Sequence, residues 1–125
     1  MRLLLDTGVL LWLMEGNPRL DEKAHELIDN AIEVYFSSAS IWEIAVKARL
    51  GKIEVDAKEL VEKMREAGLI ELPVTARHTV AAAQLPLLHR DPFDRLLVAQ
   101  AIVEPLRLVS GNVQRPLYSE LIVRV

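Results

Sequence analysis

Three carboxylates in this chain stand among residues that leave little room for charge. Asp6 ends the run RLLLD, Glu43 lies inside SASIWEIAVKARLGKI (38–53), and Asp94 belongs to HRDPFDRLLVAQA (89–101). Glu59, Glu62 and Glu66 differ from these, because they interleave with Lys58, Lys63 and Arg65 at helical spacing and read as a solvated face. Burying like charges together raises carboxyl pKa values and opposes folding, so acids that converge imply a cation that neutralises them. Oxygen donors with no cysteine and no histidine pair favour Mg²⁺ or Mn²⁺ over zinc. An ion held in this way suits phosphodiester hydrolysis: it activates a water, orients the phosphate and stabilises the leaving 3′ oxygen.

Taken singly, each acid also has a structural explanation. Asp6 or Thr7 suits the N-cap of a helix starting near Gly8. Ser40 and Glu43 fit a capping box, and Glu43 with Lys47 makes an i,i+4 pair of ~0.2–0.5 kcal/mol. Asp91, Pro92 and Asp94 suit the N-cap, first and third positions of a helix whose dipole favours acids there. The chemical reading rests on the conjunction, which depends on where the elements place these residues.

Short apolar runs alternate with helical patterns, the signature of an α/β three-layer sandwich with a mostly parallel central sheet. Strands are expected at 3–5, 34–37, 69–72, 106–110 and 121–125, and helices near 8–14, 21–32, 39–50, 56–67, 76–85 and 92–104. Leu3, Leu4 and Leu5 form a strand too apolar to have a wet face, which predicts a central position. Asp56 and Thr75 are expected N-caps, and Gly51 a C-terminal cap. Between Ile41 and Leu50 so few residues are polar that the helix is expected to be largely buried, with Trp42 in the core. In a parallel sheet ligands gather at the C-terminal ends of the strands, and there Asp6, Glu43 and Asp94 would meet in one cleft.

The strings RLLLDTGVLLWL, SASIWEIAVKARLGKI and HRDPFDRLLVAQA, in this order and spacing, resemble PIN-domain ribonucleases, specifically VapC-type toxins of prokaryotic toxin–antitoxin pairs. The similarity spans essentially the whole chain and implies a single PIN domain over residues 1–125. It further implies a metal-dependent endoribonuclease, inhibited by a cognate VapB-type antitoxin and commonly a homodimer. By position, Asp6, Glu43 and Asp94 are the implied catalytic, metal-binding acids, with Asp6 and Asp94 touching the ion directly. The family's fourth position, often Asp, is Asn112 here, which offers a carbonyl oxygen but no charge. A single firmly held ion, with a second arriving only with RNA, is the corresponding expectation. Gly8 stands where related toxins often carry His. Thr7 and Ser110 could support the site through their hydroxyls or serve in turns and caps, and Asp91 is a reserve ligand. Arg90 and Arg95 could guide RNA phosphate or pair with nearby acids. His25, His78 and His89 lack metal-ligand spacing and read as surface or packing residues.

Composition bounds these readings. The 125 residues are 51% hydrophobic and 26% charged, enough for one ordinary core and unlike a disordered chain. No cysteine is present, which removes disulfides, thiolate zinc sites and a cysteine nucleophile. Asp6 interrupts the N-terminal apolar run, and the stretch from Thr7 to Met14 is far short of the ~20 residues of a spanning helix, so no membrane segment is expected and a cytoplasmic location is the default. Fifteen basic against 18 acidic residues give a net charge of −3, which argues against nucleic-acid binding through a dominant positive field. An acid-held ion meeting the phosphate removes that objection. Two other readings compete. A phospho-acceptor receiver module would need an Asp at the end of a central third strand, where this chain runs from Leu72 into Pro73. A PIN scaffold that binds its partner or RNA without cleaving would accommodate the departures at Gly8 and Asn112.

Overall fold

The computed structural model describes residues 1–86, 91–111 and 121–125. Five parallel strands form one sheet in the order β3-β2-β1-β4-β5: β1 (Arg2–Leu5), β2 (Glu33–Ser37), β3 (Ile70–Leu72), β4 (Arg107–Ser110) and β5 (Ile122–Arg124). The leucine run is the central strand, and Leu3, Leu4 and Leu5 are all 0% exposed, as a strand covered on both faces requires.

Alternation along the strands divides the core into two layers. Leu3, Leu5 and Val109 pack with Val9 and Leu10 of α1 (Thr7–Glu15), Ala24 and Ile28 of α2 (Glu22–Asp29), Ile44 of α3 (Ser38–Arg49), and Leu60 and Met64 of α4 (Ala57–Glu66). Leu4 and Leu108 pack in a second cluster with Leu97, Val98 and Ala101 of α6 (Pro92–Val103), which α5 (Ala76–Gln84) accompanies. The three-layer α/β/α arrangement is thus the expected one. The β3 strand lies at the sheet edge and ends at Leu72, so the described sheet lacks the central acid-ended third strand of a receiver module. No described helix is long and apolar enough to cross a membrane.

Three local expectations are corrected. The second helix ends at Asp29, because Asn30 closes it and the chain enters β2 at Glu33. The cap of α3 is Ser37, whose hydroxyl accepts from the Ala39 N–H at 3.0 Å, so Ser40 and Glu43 sit inside the helix and form no capping box. Trp42 is 65% exposed rather than core, packing edge-on against Phe93 at 5.4 Å, and Val46 and Leu50 share its outward stripe at four-residue spacing.

Candidate functional site

The turn from β1 into α1 fixes the first acid. At Asp6 the backbone is extended, its N–H still bonds the Val109 carbonyl at 3.0 Å, and its side chain becomes the N-cap of α1. One carboxylate oxygen, Oδ1, accepts from the Val9 N–H at 2.8 Å, while Oδ2 accepts from the Ser110 hydroxyl at 2.7 Å. Capping and the strand-end hydroxyl therefore act on opposite oxygens of one buried carboxylate, 5% exposed, and set its orientation. Next to it, the Thr7 hydroxyl donates to Ser40 Oγ at 2.9 Å and ties the start of α1 to α3.

Glu43 lies three residues beyond Ser40, on the same face of α3, and is buried. Its Oε2 accepts from Lys47 Nζ at 2.8 Å. That hydrogen bond, with the added negative field of Glu43, Asp91 and Asp94, holds the Lys47 pKa above the usual lysine value of 10.5, against a smaller lowering by partial burial. The third acid comes from the start of α6. Asp91 caps that helix, its Oδ1 accepting from the Phe93 N–H at 2.9 Å; Pro92 occupies the first turn, and Asp94 follows where the positive helix end favours it.

Asp6, Glu43 and Asp94 line one cleft of about 320 Å³ at the C-terminal ends of the central strands, whose walls also include Thr7, Gly8, Trp12, Lys47 and Gly111. Oxygen is the donor type these acids present, in keeping with a hard divalent cation. Among the described residues, however, no three acid or histidine side chains gather tightly enough to hold a metal ion together. Glu43 accepts from Lys47, Asp6 accepts on both of its carboxylate oxygens, and Asp94 stands in the first turn of α6.

The remaining expected residues are placed as follows. Ser110 bonds Asp6 directly, Thr7 lines the cleft, and Asp91 is the cap of α6 outside the cleft wall. Arg95 donates to the carbonyls of Ala82, Leu85 and Pro86 at 2.8–3.0 Å, closing the end of α5, and does not line the cleft. Asn112, Arg90 and His89 lie outside the described residues. His78 is a packing residue: it is buried, its Nδ1 accepts from the Thr75 N–H at 3.0 Å, and its Nε2 meets Glu104.

Sequence reasoning missed two shaping residues and the place of a third. A Cβ on Gly111 would stand 2.6 Å from the Trp12 ring, so the ring lies against bare backbone at the end of β4. Trp12 follows Gly8 by four residues on α1, a spacing that places both on one face of the helix, and both line the cleft. Lys47 was legible as the partner of Glu43, but not as a cation in the cleft.

No protein of curated function matches the chain by sequence. Solved structures similar to it include VapBC2 from Rickettsia felis bound to a DNA fragment from their promoter, at TM-score 0.70 and 15% identity over 100% of this chain and 99% of that one. A toxin–antitoxin complex from Klebsiella pneumoniae gives TM-score 0.68 at 16% identity, covering 96% of this chain and 94% of that chain. FitAcB from Neisseria gonorrhoeae gives 0.64 at 18% identity, covering 98% and 96%. Identities this low establish a shared fold. The family model of the PIN domain matches residues 3–114, and the chain belongs to the PIN domain family.

Proposed function

We propose that the protein is a Mg²⁺- or Mn²⁺-dependent endoribonuclease, a VapC-type toxin that hydrolyses RNA phosphodiester bonds and is neutralised by a cognate VapB-type antitoxin. The observation that carries this reading is the meeting of Asp6, Glu43 and Asp94, from three separate segments, in one cleft. Family membership supports a nuclease, and the antitoxin partner is supported by the toxin–antitoxin complexes among the similar folds. A homodimer in the cytoplasm completes the proposal.

Asp6 and Asp94 are the residues that would hold the ion. When bound, it would supply charge for the scissile phosphate and lower the pKa of a water. The protein's own part is positional. The Val9 N–H and the Ser110 hydroxyl hold the Asp6 carboxylate still, which removes the reorganisation a free side chain would need. The first turn of α6 holds Asp94, while Glu43 keeps Lys47 in the cleft wall, where its charge would attract a polyanion.

A second reading draws on one observation, the absence of a three-acid metal cluster among the described residues. In that reading the cleft binds RNA or a partner without cleaving. Cleavage of RNA in Mg²⁺ or Mn²⁺ by protein freed of any antitoxin separates the two. Wild type should cut and Asp6→Asn should not, although Asn retains the capping oxygen and the fold. Intact RNA with a folded, antitoxin-free wild type would establish the binding-only scaffold instead.

A further inference from the structure

Lys47 is placed unlike an ordinary surface lysine. It lies in the wall of the same cleft as Asp6, Glu43 and Asp94, and its Nζ stands 2.8 Å from Glu43 Oε2. Glu43 is only 8% exposed, and a carboxylate taken that far out of water needs a positive partner. The Glu-to-Lys order along α3 is the one that lets the lysine reach back over the glutamate. An ammonium has three donors, and among the described residues only Glu43 is seen to take one of them. The Lys47 side chain is 46% exposed, so its ammonium stays within reach of solvent and of a ligand that enters the cleft.

We propose that Lys47 is the built-in second cation of this cleft. Its ammonium neutralises Glu43, restricts the cleft to one divalent ion at Asp6 and Asp94, and offers its remaining N–H groups to a phosphate of the RNA. This rests on the metal-dependent reading above. It accounts for three acids sharing a cleft without forming a three-ligand cluster among the described residues, because one of them, Glu43, faces a lysine. A point charge on a flexible stem suits a phosphate contact that must form and release as the backbone passes.

The test compares full-length, antitoxin-free wild type with Lys47→Met and Lys47→Arg. Calorimetric Mn²⁺ titration gives the stoichiometry, and fluorescence anisotropy of a labelled single-stranded RNA in EDTA gives metal-independent affinity. Removing a unit charge this close to the acids should let Lys47→Met take a second Mn²⁺, or bind one about tenfold more tightly, while its RNA affinity in EDTA falls several-fold. Lys47→Arg should keep one ion and most of the RNA affinity. The inference is overturned if Lys47→Met matches wild type in Mn²⁺ stoichiometry and affinity, if wild type already takes two ions without RNA, or if RNA affinity in EDTA is unchanged. Wild type that takes up no Mn²⁺ at all overturns the metal-dependent reading itself, a result distinct from an unaltered single site.

Discussion

Ser110 and Asp6, 104 residues apart, are joined at 2.7 Å where β4 and β1 end side by side. The hydroxyl donates to the carboxylate oxygen that the helix cap leaves over. Ser110→Ala should therefore lower metal-free stability by about 1–3 kcal/mol, the range for withdrawing a hydrogen-bond partner from a buried polar group. Urea denaturation measures it, and Mn²⁺ affinity should fall in parallel as the carboxylate gains freedom. An unchanged midpoint with unchanged affinity would show that this bond does not organise the site.

The two glycines of the cleft should respond oppositely to a methyl group. At Gly111 a Cβ would meet the Trp12 ring at 2.6 and 2.7 Å, so Gly111→Ala must displace the indole, at about 1–3 kcal/mol. Near-ultraviolet circular dichroism and tryptophan emission should both change. Gly8 lies within α1, and its Cβ would come no nearer than 3.7 Å to Asp6 Oδ1. Gly8→Ala should leave those spectra alone and stabilise the protein by about 0.5–1 kcal/mol through helix propensity.

The Lys47–Glu43 pair has a defined pH window. Because the pair raises the folded-state pKa of Lys47 above 10.5, its contribution is complete below that value and is lost as pH rises through the folded pKa. The stability difference between wild type and Lys47→Met should therefore be flat across neutral pH and shrink only above about 10.5. A difference that already disappears near neutral pH would contradict the pairing.

On the other face of the sheet, His78 is buried between the cap of α5 and Glu104. His78→Ala removes an acceptor from the Thr75 N–H and a partner from Glu104 while opening a cavity. A loss of about 2–4 kcal/mol is expected, with Mn²⁺ affinity in the folded protein unchanged. Weakened Mn²⁺ binding at temperatures where the variant is fully folded would mean that the two faces are coupled.

The central strand and Asp6 were legible because three successive leucines cannot have a wet face, and a charge directly after them must be capped or functional. Asp91 and Pro92 were legible as a helix start from their chemistry alone. Trp42 was not, because α3 is apolar around much of its circumference and hydropathy does not say which stripe the sheet covers. The capping box expected at Ser40 gave way to Ser37, because the cap depended on where β2 ended in register with β3, where Ser37 pairs with Leu72. The Trp12–Gly111 contact joins residues nearly a hundred positions apart, which local spacing does not reveal. The convergence of the three acids was legible only through the parallel order of the strands. The pairing of Glu43 with Lys47 was visible as a helical i,i+4 contact, but its place in the cleft needed the third dimension.

Crystals soaked in Mn²⁺ and measured at the manganese absorption edge test the metal-dependent reading most directly. One anomalous peak is predicted in the cleft, in contact with carboxylate oxygens of both Asp6 and Asp94, and it should be absent from Asp6→Asn crystals treated alike. A cleft with no peak, or a peak that persists unchanged in Asp6→Asn, would contradict the assignment of these two acids as the seat of the ion.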